Sequence, residues 1–378
     1  MTAAAIYRVA ALPGDGVGPE VVAQARRVLD AAGAAFGYEI DWSEHLVGGS
    51  AIDAYGVPFR DEDLAACRGV DAILLGAVGG PKWDDPNASV RPEQSLFKLR
   101  GGLGLYANLR PVTVHPALAP ASPLRPELLE GVDLLILREL TGGLYFGARQ
   151  EAVETDGERS ASDMLPYSAG EIARIVRLAF ELARTRRSRV TSVDKANVLA
   201  TSRLWRRVAT EIAADFPDVE LNHQLVDSCA MLLVKRPAEF DVLVTENLFG
   251  DILSDEASVL AGSLGLLPSA SLGERRTEHG RFGLYEPIHG SAPHLAGQDR
   301  ANPIGTILSA AMLARRSLGR ADVAGVIEGA VHAALDQGWR TPDLARESDT
   351  TDGLVVVGTT AFATAVIERL GVASEVPA

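Results

Sequence analysis

Two aspartates one helical turn apart, Asp251 and Asp255, lie in Asn247-Leu248-Phe249-Gly250-Asp251-Ile252-Leu253-Ser254-Asp255, just after the apolar run 241–245. Positions i and i+4 share a helix face, where two like charges repel by roughly a few tenths of a kcal/mol unless a cation lies between them. A helix cap is the plainer account of Asp251, which falls near the expected helix start. Asp227, in Val226-Asp227-Ser228-Cys229, also follows an apolar run. Three Asp oxygens with no His or Cys nearby in sequence suit a hard divalent cation, Mg²⁺ or Mn²⁺.

Three arginines keep unusual company: Leu99-Arg100, Asn108-Leu109-Arg110-Pro111 and Leu135-Ile136-Leu137-Arg138-Glu139. Arginine beside apolar segments needs a partner. Ordinary ion pairs supply one; the carboxylates of a small di- or tricarboxylate, matched bidentately, are the alternative. Lys195 closes the strand-like run 190–193, where apolar neighbours suit a base of lowered pKa. Tyr145 follows Thr141-Gly142-Gly143-Leu144, just past Arg138, and a phenol there suits a proton relay. A surface lysine and a core tyrosine are the bland alternatives.

These groups need elements to hold them. Apolar runs at 6–12, 38–42, 70–75, 132–137, 190–193 and 242–245 read as strands. Helical periodicity follows from Pro19, over 169–185, 203–216 and 252–264, and through 305–318, 323–337 and 359–370. Alternating strands and helices predict an α/β protein, whose ligands lie at the C-terminal ends of the strands. Glycine turns after strands occur at Gly14-Asp15-Gly16-Val17-Gly18, at 76–81 and at His289-Gly290-Ser291-Ala292-Pro293. The first is GxGxG without a later acidic ribose partner, so it does not match the Rossmann fingerprint. The third clusters backbone donors that suit a phosphate. The polar stretch 147–162 reads as a surface arm or hairpin, and 273–283 as a polar loop.

The 378 residues suggest two domains. Lys+Arg total 36 against 50 Asp+Glu, a net charge of −14 that speaks against nucleic acid. Two cysteines, Cys67 and Cys229, make no disulfide framework and fit a reducing, cytoplasmic setting. No apolar run is long enough for a membrane span, and the N-terminus does not read as a signal peptide.

The segment NLFGDILSDEASVLAGSLGLLPSASLG from Asn247 resembles the signature of the metal-dependent β-decarboxylating dehydrogenases, the isocitrate/isopropylmalate dehydrogenase family. Six further segments extend the resemblance nearly end to end: LPGDGVGPEV from Leu12, LLGAVGGPKWD from Leu74, RPEQSLFKLRGGLGLYANLRPV from Arg91, RELTGGLYFG from Arg138, DKANVL from Asp194 and EPIHGSAPHLAGQDRANP from Glu286. The resemblance implies a two-domain α/β fold, not Rossmann, with the active site in the interdomain cleft. Domain 1 would be discontinuous, 1–105 with 262–378, and would bind the cofactor. Domain 2 would be 106–261, carrying the dimer contacts and an arm at about 147–162.

By the same resemblance Arg100, Arg110 and Arg138 bind substrate carboxylates, Tyr145 and Lys195 are catalytic, and Asp227, Asp251 and Asp255 hold Mg²⁺ or Mn²⁺. Asp227 also touches substrate. Lys195 and Asp227 would enter from the partner of a homodimer. Glu93, His289, Gly290, Ser291, Ala292, His294 and Asn302 match the NAD site. Leu96, Phe97 and Val198 match the wall around the substrate's alkyl group. The implied reaction is oxidation and decarboxylation of 3-isopropylmalate to 4-methyl-2-oxopentanoate and CO₂. Two residues depart from the pattern. His294 stands where NAD-using members carry Asp, which opens NADP use. Phe97 replaces a Leu, which opens a different 3-substituted malate or tartrate. A non-catalytic paralogue is the remaining alternative, disfavoured because every catalytic type is present.

Overall fold

The structure, a computed structural model, describes residues 4–85, 88–345 and 353–371. The chain divides into two compact units: Met1–Leu105, His115–Pro123 and Ala261–Ala378 form the first, Tyr106–Val114 and Leu124–Leu260 the second. Unit 1 begins with β1 (Ala5–Gly14), α1 (Gly18–Phe36), β2 (Tyr38–Glu44), α2 (Gly49–Tyr55), α3 (Asp61–Cys67), β3 (Ala72–Ala77) and α4 (Gln94–Leu103). Unit 2 carries β4 (Ala107–Thr113), β5 (Asp133–Glu139), β6 (Arg149–Thr155), β7 (Glu158–Asp163), α5 (Ala169–Ala183) and β8 (Arg189–Asp194). It continues with α6 (Ala200–Ala213), β9 (Glu220–Leu225), α7 (Val226–Lys235), β10 (Val242–Thr245) and α8 (Asn247–Ser258). The chain then returns to unit 1 for β11 (Pro268–Arg276), β12 (Arg281–Pro287), α9 (Ile304–Arg316), α10 (Ala321–Asp336) and α11 (Thr359–Arg369).

The units share a plan. In unit 1 the strand order is β2-β1-β3-β12-β11, with β11 antiparallel to β12 and the other pairs parallel. In unit 2 it is β4-β5-β10-β8-β9, with β4 antiparallel to β5 and the rest parallel. β3 is buried at every position and β5 at all but its first, as continuous apolar strands covered on both faces are. The core of unit 1 packs Leu12, Phe59, Ile73, Leu75, Leu99 and Phe282 together.

Three expectations change. Residues 115–123, placed in the middle domain from sequence, belong to unit 1: His115 meets His332 with ring centroids 5.1 Å apart, and Arg340 Nη2 donates to the Ala117 carbonyl at 2.9 Å. The helix expected over 252–264 starts at Asn247, because Glu246 caps it, accepting from Leu248 N at 3.1 Å and Phe249 N at 2.7 Å. It gives way to a 3₁₀ turn at Val259–Ala261. The polar loop at 273–283 is instead the solvent end of the β11–β12 hairpin, paired out to Arg276↔Arg281 and closed by Thr277 N on the Gly280 carbonyl at 2.8 Å. The polar stretch 147–162 falls in the β6–β7 hairpin, exposed along both strands. Among the described residues no helix is long and apolar enough to cross a membrane.

Candidate active site

In unit 2 the register places Asn108 opposite Arg138 and Arg110 opposite Ile136. Side chains alternate along a strand, so Asn108, Arg110 and Arg138 share one sheet face. Helix α8 crosses that face closely. A Cβ on Gly250 would meet Arg138 Cγ at 2.7 Å and Cβ at 2.8 Å, so only glycine allows this approach. The approach places Asp251 against Arg138, whose Nη1 donates to Asp251 Oδ1. Arg110 Nη1 donates to Ser254 Oγ at 2.7 Å and to Asp255 Oδ1 at 3.0 Å, while its Nε donates to Asn108 Oδ1 at 2.8 Å. The Tyr145 hydroxyl donates to Asp251 Oδ2 at 2.9 Å. Five of the residues singled out by sequence therefore meet: Arg110, Arg138, Tyr145, Asp251 and Asp255. Burial, then the bond to Asp251, raises the Tyr145 pKa above its ordinary value, so the phenol keeps its proton at neutral pH.

The cap expected at Asp251 is supplied by Glu246 instead, and Asp251 is left free to face inward. The second pair of residues lies on other elements. Asp194, 1% exposed at the end of β8, is gripped by Arg206 through Nε at 2.8 Å and Nη2 at 2.9 Å, and accepts Ala196 N at 2.8 Å. This fixes the turn carrying Lys195, whose Nζ donates to Asp227 Oδ1 at 2.6 Å from the first turn of α7. The bond to Lys195 holds the Asp227 carboxyl below its usual range. Val198, 62% exposed, sits on the same turn. Among the described residues no three His, Cys, Asp or Glu side chains gather as a metal site, so one chain alone does not bring Asp227 to Asp251 and Asp255. The donor set still fits a hard divalent cation: carboxylate oxygens spaced by one helical turn, each paired with an arginine.

In unit 1 the three glycine segments follow the C-terminal ends of β1, β3 and β12. Buried Asp15 joins the first two, accepting Gly49 N at 2.8 Å, Ser50 N at 2.7 Å and Gly79 N at 2.8 Å. Val17 N donates to the Ser291 carbonyl at 2.8 Å, and a Cβ on Gly16 (φ +59°) would strike that carbonyl at 2.0 Å. Beside this junction lies a cavity of about 370 Å³ lined by Val17, His289, Gly290, Ala292, Arg300 and Asn302 among others. The His289 Nδ1 meets the Gly290 carbonyl at 2.9 Å, and its Nε2 is sealed from water without a partner. Burial lowers the His289 pKa, so the ring is neutral with Nε2 as a bare acceptor. An N–H donor of a bound base suits it. Asn302 Nδ2 donates to Asp343 Oδ2 at 3.0 Å and its Oδ1 accepts Ile304 N at 3.0 Å. His294 is exposed on the same loop, and its carbonyl accepts from Gln298.

Glu93 lies just before α4, its Oε1 2.9 Å from where a Gly79 Cβ would stand. Leu96 packs on the unit 1 core and Phe97 is 40% exposed. Arg100 Nη2 pairs with Glu286 at 3.1 Å. Each of the three arginines thus has a carboxylate of its own chain. Sequence reasoning missed Asn108, Asp194 and Ser254, which orient Arg110 and Lys195 without any charge pattern to announce them.

The family model described as isocitrate/isopropylmalate dehydrogenase matches residues 8–366. A 3-isopropylmalate dehydrogenase of Anaeromyxobacter dehalogenans is 58% identical over 337 residues, covering 89% of this chain and 94% of the relative. That of Shouchella clausii is 55% identical, covering 96% of this chain and 97% of the relative. Among solved structures, isocitrate dehydrogenase from Methylococcus capsulatus superposes with a TM-score of 0.83 at 35% identity, covering 96% of this chain and 99% of that one. With Arg110 and Arg138 gathered on one sheet face, its paired aspartates on α8 and this match over nearly its whole length, the chain belongs to the isocitrate/isopropylmalate dehydrogenase family.

Proposed function

We propose that the protein oxidises and decarboxylates (2R,3S)-3-isopropylmalate to 4-methyl-2-oxopentanoate and CO₂, passing hydride to NAD, as a step of leucine biosynthesis. The observation that carries this reading is the meeting of Arg110, Arg138 and Tyr145 with the α8 aspartates in a chain 58% identical to a 3-isopropylmalate dehydrogenase. Arg100, Arg110 and Arg138 hold the substrate carboxylates. Asp227, Asp251 and Asp255 would hold Mg²⁺ or Mn²⁺, which when bound supplies an electrophile for the C2 oxygen and for the enolate charge. Lys195 accepts the C2 hydroxyl proton as the C2 hydrogen leaves as hydride, which requires its pairing with Asp227 to be released. The β-carboxylate then departs as CO₂, and its bonding electrons form the C2–C3 double bond of an enolate. Tyr145 donates its proton to C3 of that enolate, which returns the C2 oxygen to a carbonyl.

A homodimer completes the site in this reading, with Lys195 and Asp227 reaching the partner's Asp251 and Asp255. Exposed Met231 and Val234 on α7 and Ile252 on α8 supply apolar surface for a second copy. The β6–β7 hairpin is the clasping arm. In unit 1, Glu93, His289, Gly290, Ser291, Ala292 and Asn302 bind the dinucleotide. Arg300 lines the same cavity and His294 carries no negative charge, which favours acceptance of NADP beside NAD. The two buried free thiols, each raised to about 12 by burial, suit a reducing cytoplasm. Release of CO₂ and dinucleotide reduction, measured together from 3-isopropylmalate, test the reaction. A one-to-one ratio is expected; reduction without CO₂ would overturn the decarboxylation.

A further inference from the structure

We propose that Asn247 is a positioning residue, tying the Arg138 guanidinium and the Tyr145 turn to the helix that carries Asp251 and Asp255. The inference rests on the reading above, in which Arg138 and Tyr145 act on substrate. Asn247 is 1% exposed and opens α8. Its Oδ1 accepts from Arg138 Nε at 3.0 Å, and its Nδ2 donates to the Gly142 carbonyl at 3.1 Å. An arginine can only donate and a carbonyl can only accept, so both ends of the amide are specified.

The same residue is anchored through its backbone. Asn247 N–H donates to the Tyr167 hydroxyl at 3.0 Å, and Tyr167 donates to Glu139 Oε2 at 3.3 Å. Glu139, wholly buried at the end of β5, accepts Thr141 N at 3.0 Å, Gly142 N at 2.7 Å and Thr141 Oγ1 at 2.7 Å. The Tyr167 ring covers the turn, which has room for it only because Gly142 and Gly143 lack side chains: a Cβ would meet the ring at 2.6 Å and its hydroxyl at 2.7 Å. Three pieces of chain, the end of β5, the 141–145 turn and the start of α8, are thereby locked in one register. Within that register Arg138 and Tyr145 both reach Asp251. The lock consists of buried hydrogen bonds, where a half-satisfied network is costly and a satisfied one is rigid.

Asn247→Asp keeps the acceptor for Arg138 but sets an oxygen against the Gly142 carbonyl. Asn247→Leu removes both bonds at similar volume. Tyr167→Phe, which removes one hydroxyl, serves if the leucine variant does not fold. Kinetics with 3-isopropylmalate and NAD are expected to lose about tenfold or more in kcat/KM for the hydroxy acid. The KM for the dinucleotide, bound by unit 1 residues in this reading, is expected to stay within about twofold. Hydrogen exchange at the Thr141 and Gly142 amides is expected to quicken in every variant. Unchanged kcat/KM overturns the proposal, as does an equal rise in both KM values. If the unmodified enzyme does not turn over 3-isopropylmalate, the functional reading fails, while amide exchange still decides the anchoring: slow exchange in the variants overturns it.

Discussion

Asp251 receives two donors of different kinds, the Arg138 guanidinium and the Tyr145 phenol. Asp251→Asn would keep the size but lose the charge that holds both. Its turnover should fall by about 10² or more, read as kcat with saturating divalent cation. If Tyr145 protonates the enolate as proposed, Tyr145→Phe should cost about 10²–10⁴ in kcat while leaving the fold intact by circular dichroism. Lys195→Met should abolish turnover with the oligomer unchanged in sedimentation; near-normal activity would remove Lys195 from the base role. The charged members of this site were legible in the sequence because arginine beside an apolar run and two aspartates at i and i+4 are conspicuous. Asn108, Asp194, Ser254 and Asn247 were not: amides, hydroxyls and one more carboxylate are ordinary in such segments, and only the register of β4 against β5 and the approach of α8 give them partners.

At the scale of elements, α8 sets the site because glycine lets it lie against β5. Gly250→Ala would drive a methyl into the Arg138 stem. A cost of about 1–3 kcal/mol in unfolding free energy is expected, with weaker substrate binding from a displaced Arg138. Chemical denaturation and substrate KM check the two halves. Strands such as β3 and β5 were readable from their apolar runs. The start of α8 was not, because the cap is Glu246, a residue less favoured there than Ser, Thr, Asp or Asn. The outer halves of β11 and β12 were hidden for the opposite reason: exposed hairpin ends carry polar residues that look like loop.

For the whole molecule, burial lowers the pKa of His115, His223 and His289 below the ordinary imidazole value of 6.5. The unfolded chain then binds protons that the folded chain refuses. Stability from these groups is full above 6.5 and is lost as pH falls from that value towards the lowered folded one. The urea midpoint should therefore drop between pH 7.5 and pH 5.5, and His115→Phe should reduce the drop. The proposed sharing of the site between two chains has a test of its own. Mixed dimers of Lys195→Met and Tyr145→Phe chains carry one intact site if Lys195 serves the partner, so random mixing should restore about a quarter of full activity. A mixture as inactive as its parents would place both residues in one chain's site. The net charge of −14 speaks only about large polyanions. The sign of the field at the site is set locally by Arg110 and Arg138 against the α8 aspartates, which no sum over the chain reveals.

The decisive measurement of the reaction is an initial-rate matrix: 3-isopropylmalate, isocitrate and D-malate, each with NAD and NADP, with Mg²⁺ or Mn²⁺ and with EDTA. Turnover is expected to be fastest with 3-isopropylmalate and to be lost when EDTA removes the cation. No turnover of 3-isopropylmalate under any of these conditions, or turnover that survives EDTA, would contradict the proposed reaction.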